Sequence, residues 1–287
     1  MADYQYAKSV ITSNISTLEE RLRGSAEQKG ISVSMLTKLI WDNVAEEGMD
    51  AVWSELCSSL GHPTAKDKTD ICIAICRCLS VDELDGINLF DSGEQTVAGT
   101  HGKIAYVRNK RSDDAFLAFS KHIPVAKANY MPSFAEACEA VMDNKCEFCI
   151  LPVENGNDGK LYSFYSMLDR YDLKICHKVN IAGEDGTDFI GFALAGRSVN
   201  YEIHKDDMMR FEFCVVGEGA DFISEVLGVA DALGGHIASI GTQPVPYDDR
   251  SRRCYFAVDL KDGAWVPMAL YMNLEYHAYT PLGLYKI

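Results

Sequence analysis

Lys145-Cys-Glu-Phe-Cys-Ile-Leu-Pro-Val-Glu-Asn-Gly-Asn-Asp-Gly159 sets a short apolar run against a polar, glycine-rich turn. The run Cys149-Ile-Leu-Pro-Val153 is continuously apolar, as in a strand buried on both faces. Glu154-Asn155 follows at its carboxyl end, and Gly156 and Gly159 mark a turn. Two candidate sites therefore share this stretch, the Cys146-x-x-Cys149 pair and the Glu-Asn dipeptide. A closed zinc site needs four ligands, and no second CxxC or HxxxH partner accompanies the pair. The two cysteines read as packing, and no metal or cofactor is expected.

Outward from this stretch, strands alternate with helices. Lys103-Ile-Ala-Tyr-Val107 reads as a strand, Asp113 to Ser120 as a helix, and Val125 to Tyr130 as a second strand. Ser133-Phe-Ala-Glu136 is a capping box opening another helix, and Glu147 to Val153 is the third strand. Such alternation implies an α/β layer with a mostly parallel sheet over residues 98–200. Ligands in these sheets sit at the carboxyl ends of strands, where Glu154 and Asn155 lie.

From Met208 the order changes. It reads strand (Arg210 to Val216), helix (Asp221 to Leu233), strand (His236 to Gln243), strand (Arg253 to Leu260), helix (Trp265 to Leu274), strand (Gly283 to Ile287). This βαββαβ order over residues 208–287 is the ferredoxin-like arrangement. Residues 1–95 read as helical, with amphipathic segments at 17–23, 33–44, 51–60 and 66–79, and Asp91-Ser-Gly-Glu94 reads as a linker. The expected fold class is a multidomain α/β and α+β chain.

The chain has 287 residues and a net charge of -15. That charge argues against nucleic acid, which needs a clustered positive surface. The dense basic clusters, Arg108-Asn-Lys-Arg111 and Arg250-Ser-Arg-Arg253, are short enough to be solvated loops. No apolar run reaches the roughly 20 residues that span a bilayer. The opening MADYQYAKSV lacks the order of a secretory signal. With ten cysteines read as reduced thiols, the expectation is a cytoplasmic protein with no membrane partner.

Several motifs carry a resemblance to prephenate dehydratase with its C-terminal ACT regulatory domain. Leu151-Pro-Val-Glu-Asn-Gly-Asn-Asp-Gly159 is similar to the family's Leu-Pro-Ile-Glu-Asn-Ser-x-x-Gly. Lys103 to Val107 resembles its opening strand, Ser133-Phe with Glu139-Ala-Val its next strand-to-helix segment, and Tyr171-Asp-Leu-Lys-Ile a later strand. Thr187-Asp-Phe189 stands where the family has Thr-Arg-Phe. Gly219-Ala220 resembles its Gly-Ala-Leu effector motif, Ile240-Gly-Thr-Gln-Pro244 stands for Ile-Glu-Ser-Arg-Pro, and Leu282-Gly-Leu-Tyr285 resembles the closing Leu-Gly-Ser-Tyr. The resemblance covers residues 98–287 and leaves out residues 1–95.

The resemblance implies a reaction that removes water and carbon dioxide from prephenate to give phenylpyruvate, in phenylalanine biosynthesis. Thr187 would donate the proton to the departing hydroxyl, help typically worth about 10²–10⁴-fold. Glu154 and Asn155 would shape the pocket, Phe189 would pack beside it, and Ser112 is retained from the turn after the opening strand. Gly219, Ala220, Ile240, Gly241, Thr242 and Gln243 would form the effector site for an amino acid. The implied partners are a small anionic or amino-acid ligand and a second copy of the chain, paired through the ACT domain.

The departures are equally specific. The family inserts a second lobe before its Thr-Arg-Phe strand, whereas only Ala182-Gly-Glu-Asp-Gly186 separates Ile181 from Thr187. A connection so short is a turn. Asp188 replaces the family's arginine, an anion where the dicarboxylate substrate meets a cation. Arg108-Asn-Lys-Arg111 replaces a Gly-Pro-x-Gly turn, and Gly241-Thr-Gln243 replaces Glu-Ser-Arg. Two classes stay open: a dehydratase whose N-terminal helices replace the missing lobe, and a non-catalytic small-molecule sensor.

Overall fold

The computed structural model describes Trp53, Ser54, Cys57, residues 63–78 and residues 101–287, apart from 124, 156–158, 184–187, 199–207, 246–247, 262 and 277. The segments expected to be helical at 17–23 and 33–44, and the linker at 91–94, lie outside these residues. The chain divides into two compact units, Phe90–Phe213 with Pro281–Ile287, and Met1–Leu89 with Cys214–Thr280.

The first unit carries β1 (Lys103–Val107), α2 (Lys110–Phe119), β2 (Lys127–Met131), α3 (Phe134–Met142), β3 (Phe148–Asn155), β4 (Gly159–Lys160), α4 (Tyr162–Arg170), β5 (Lys174–Ala182) and β6 (Phe189–Gly196). Parts of β7 (Met209–Glu218) and β10 (Tyr279–Lys286) complete it. Side chains start its helices. Asn109 caps α2 by accepting from the Ser112 N–H at 2.9 Å. Ser133 caps α3 by accepting from the Glu136 N–H, and its hydroxyl donates to Glu136 Oε1, both at 3.2 Å. The expected box is present, with its return bond made to the hydroxyl in place of the backbone.

The sheet order within this unit is β2-β1-β3-β6-β5-β10. β1 runs parallel to β2 and β3, while β6 lies antiparallel between β3 and β5. The sheet is thus more mixed than the alternation of elements implied. The cause is the short connection from β5 to β6, because antiparallel neighbours can be joined by a tight turn and parallel ones need a crossover. The Gly183 N–H donates to the Asp188 carbonyl at 2.7 Å, closing the hairpin. No second lobe is inserted there. α4 and the two-residue β4 were not anticipated, and β5 begins later than the motif at Tyr171 suggested.

One face of this sheet packs on α2. Ile104, Tyr106, Phe148, Ile150, Phe192 and Leu194 form a buried cluster with Ala115 and Phe119 of α2, and Val179, Ile181 and Ile190 pack against it. On the opposite face, Lys178 places its ammonium 5.9 Å from the centre of the Phe164 ring of α4.

The second unit holds α1 (Ala65–Cys78), the remainder of β7, α5 (Asp221–Ala232), β8 (His236–Val245), β9 (Asp248–Leu260), α6 (Trp265–Glu275) and the start of β10. From β7 to β10 the elements follow the expected βαββαβ order. β8 pairs antiparallel with β9 and is the last strand of its sheet. α1 packs on α5 and α6. Lys68 Nζ lies 2.5 Å from Glu275 Oε2, and the Trp53 indole donates to Glu275 Oε1. This helix therefore covers the helical side of the βαββαβ unit. Among the described residues, no helix is long and apolar enough to cross a membrane.

Candidate functional site

The carboxyl ends of β1 and β2 bring several polar groups together. Tyr106 and Tyr130 are paired across β1 and β2. The Tyr106 hydroxyl donates to Asp113 Oδ1 at 2.8 Å, and its ring stacks on Phe116 with centroids 5.5 Å apart. Burial, then the Asp113 carboxylate, pushes the Tyr106 phenol well up from its ordinary pKa, so it stays a donor. The Arg108 guanidinium stands 4.8 Å over the half-exposed Tyr130 ring. None of Tyr106, Tyr130 and Asp113 was anticipated. The strand alternation of Lys103–Val107 places Tyr106 in the core, and its bond to the first turn of α2 is a tertiary contact.

At the start of α2, both terminal nitrogens of Arg111 lie 3.2 Å from Asp188 Oδ2. The Asp188 anion is therefore paired with a cation of the first turn of α2. Ser112, in the same first turn, is buried.

Glu154 lies on the other face of the sheet. A β-bulge between Pro152 and Glu154 shifts the register, so that Pro152 pairs with Phe192 and Glu154 with Gly191. Phe148, Ile150 and Pro152 share the α2 side of the strand, and simple alternation would have put Glu154 there too. The extra residue, Val153, turns it over. The Glu154 side chain now crosses Gly191, where a Cβ would stand 2.7 Å from Glu154 Cγ. Phe189 is on the same side as Gly191, two residues earlier on β6, and 36% exposed. Ser112 and Glu154 thus belong to opposite faces.

Thr187 lies outside the described residues, as does the Asn155 side chain, although the Asn155 backbone pairs with Ile190. In the second unit Gly219, at a φ of +70°, and Ala220 form the turn before α5. Ile240, Gly241, Thr242 and Gln243 lie along β8, with Ile240 exposed and Gln243 Oε1 accepting from the Tyr255 hydroxyl at 3.0 Å.

Cys149 is buried on the face opposite the α2 cluster, beside Cys138 of α3, and Cys146 is buried as well. The hydrogen bond with Cys138, then burial, holds the Cys149 thiol well above its ordinary pKa. The Asn129 amide donates to Cys146 Sγ at 3.1 Å. Among the described residues no group of three or more histidine, cysteine or acidic side chains is arranged to hold a metal ion.

Residues 112–182 match the family model described as prephenate dehydratase. The match ends at the last residue of β5, where the hairpin turns back. No curated protein matches the sequence. Among solved structures, prephenate dehydratase from Streptococcus mutans is 18% identical, with a TM-score of 0.51, over 64% of this chain and 97% of that one. GqqA, described as a novel type of quorum quenching acylase, is 15% identical with a TM-score of 0.52, over 64% of this chain and 95% of that one. Prephenate dehydratase from Arthrobacter aurescens in complex with L-Phe is 12% identical with a TM-score of 0.50, over 64% and 89%. At these identities the likeness to the solved chains is one of fold. The family match covers residues 112–182, within the α/β lobe.

Proposed function

We propose that this protein, as a divergent member of the prephenate dehydratase family, binds small molecules and does not convert prephenate to phenylpyruvate. The observation that carries this reading is the closed β5–β6 hairpin, with Gly183 bonded to Asp188 at 2.7 Å in place of a second lobe. Acid–base and electrostatic groups act only when substrate is held and water excluded. Two further features support it. Asp188 occupies Arg111, a cation a dicarboxylate would otherwise use. The described N-terminal helix, α1, packs on α5 and α6 of its own unit.

In this reading the βαββαβ unit is a sensing module of the ACT type that takes an amino acid near Gly219, Ala220 and Ile240–Gln243. The L-Phe bound to the Arthrobacter relative supports that class of ligand. A coupled assay for phenylpyruvate tests the loss of catalysis, and formation above the uncatalysed rate would refute it. A thermal-shift screen with aromatic amino acids tests the sensing, because a ligand that binds only the folded state raises the transition.

A further inference from the structure

β5 carries a histidine to the C-terminal end of α2. Ile175 pairs with Ala195, but the bulge that follows pairs His177 with Leu194, a member of the buried α2-side cluster. The extra residue, Cys176, thus sets His177 on the side of the sheet that α2 covers. Its ring lies 6.0 Å from that of Phe119, the last residue of α2, and 6.3 Å from that of Tyr285. A second histidine comes from the turn that leaves the helix, where the His122 N–H donates to the Phe119 carbonyl at 3.0 Å. The two imidazole rings stand 4.8 Å apart, with their planes at 76°.

Among the described residues neither ring makes a hydrogen bond or an ion pair. Imidazole nitrogens taken out of water are ordinarily partnered, and one partner suits two neighbouring rings at once, a metal ion. A ligating nitrogen stands about 2.0–2.1 Å from a zinc-sized ion, which puts each ring centre about 3 Å from it and two such centres roughly 5 Å apart. The observed 4.8 Å matches that span. His122 is exposed, so its ring can turn toward an ion while Phe119 and Tyr285 hold His177. α2 also ends without a basic residue in its last turn, and a helix C-terminus favours a cation.

We propose that His122 and His177 form a two-imidazole site for a divalent transition-metal ion of the zinc, nickel or copper class, pinning the C-terminal turn of α2 to β5. Imidazole suits these ions, whereas magnesium and calcium seek oxygen ligands. Two protein ligands leave the other coordination positions to water, so the site is open, unlike a closed structural zinc centre. Only a neutral ring has a lone pair to give. Burial, then His122, lowers the His177 pKa and favours that form. The net charge of -15 favours a cation at long range. The site is on the face of the sheet opposite Glu154, and it does not depend on whether the lobe turns over prephenate.

The test is calorimetric titration of the full chain with nickel chloride at about pH 8 and about pH 5.5, either side of the ordinary histidine pKa, and with magnesium chloride as control. Nickel is the probe because a thiolate ligand would add a charge-transfer band in the near ultraviolet and imidazole would not. One ion should bind at the higher pH without such a band. Binding should weaken at the lower pH, where protons compete for the rings, and magnesium should not bind. His122→Ala, at an exposed position, should weaken binding by at least about tenfold, the loss that even an outer-shell partner carries. His177→Gln should do the same. No nickel binding, binding only with a thiolate band, an affinity unchanged by His122→Ala or by pH, or equal binding of magnesium would each overturn the site.

Discussion

Arg111 donates to Asp188 Oδ2 through both of its terminal nitrogens, each at 3.2 Å, tying the first turn of α2 to the residue that opens β6. The two side chains thus compensate each other in charge. Both side chains are partly exposed, so the pair contributes on the order of 1 kcal/mol or less. Asp188→Arg would restore the family's residue but set two guanidinium groups against each other. It should lower the melting temperature and yield no phenylpyruvate. A variant that melts no lower than the parent and turns over prephenate would show the lost arginine to be the main defect.

Glu212 is 3% exposed, and its Oε1 accepts from Lys178 Nζ at 2.5 Å and from the Tyr285 hydroxyl. Removing one partner of a buried pair leaves an uncompensated charge, at a cost of about 3–5 kcal/mol. Lys178→Met should therefore destabilise strongly in urea unfolding, and Lys178→Met with Glu212→Met should recover much of the loss. Additive effects in the double variant would contradict a coupled pair.

His177 is half-buried between Phe119, His122 and Tyr285, with its ring 4.8 Å from that of His122. Burial, then His122, lowers its pKa from 6.5. The neutral ring is thus the form the fold favours. Below pH 6.5 the unfolded chain takes up a proton that the folded one refuses, so stability is full above that value and falls as pH drops toward the folded pKa. His177→Gln should flatten this part of the stability profile. An unchanged slope would place the acid sensitivity elsewhere.

Cys146 and Cys149 are expected to be reduced, metal-free and slow to react. The thiolate is the reactive form, and Cys149 is buried with its pKa raised. Alkylation of the native protein followed by mass spectrometry should leave both unmodified while denatured protein is labelled throughout. Stoichiometric zinc lost on Cys146→Ser would overturn the packing role.

Among the described residues β8 is the last strand of its sheet and Ile240 is exposed, and such an edge needs cover. A homodimer built at least partly through residues 208–287 should appear by light scattering at micromolar concentration. Ile240→Lys should shift it toward monomer. A monomeric parent would exclude this mode of assembly.

The sequence by itself determined what depends on local spacing. Alternation and helical periodicity located β1, β2, β3 and every element from β7 to β10. Ser133 and Glu136 announced the start of α3, and five residues between Ile181 and Thr187 left no room for a lobe. α4 was harder to see, because its cap residue Leu161 makes no side-chain bond and Tyr162–Arg170 carries no start signal. Tertiary structure decided which face each side chain serves. The residue period of a strand is two, so one inserted residue reverses every position beyond it. The bulges at Val153 and Cys176 do this in β3 and β5, turning Glu154 and Asn180 onto Gly191 and His177 toward Phe119. No local pattern marks either bulge, since each is fixed by pairing with β6, a strand more than twelve residues away from one and joined by a hairpin to the other. The Arg111–Asp188 pair and the packing of α1 on α5 and α6 have the same origin, contacts between residues 77 or more positions apart that only the folded chain brings together.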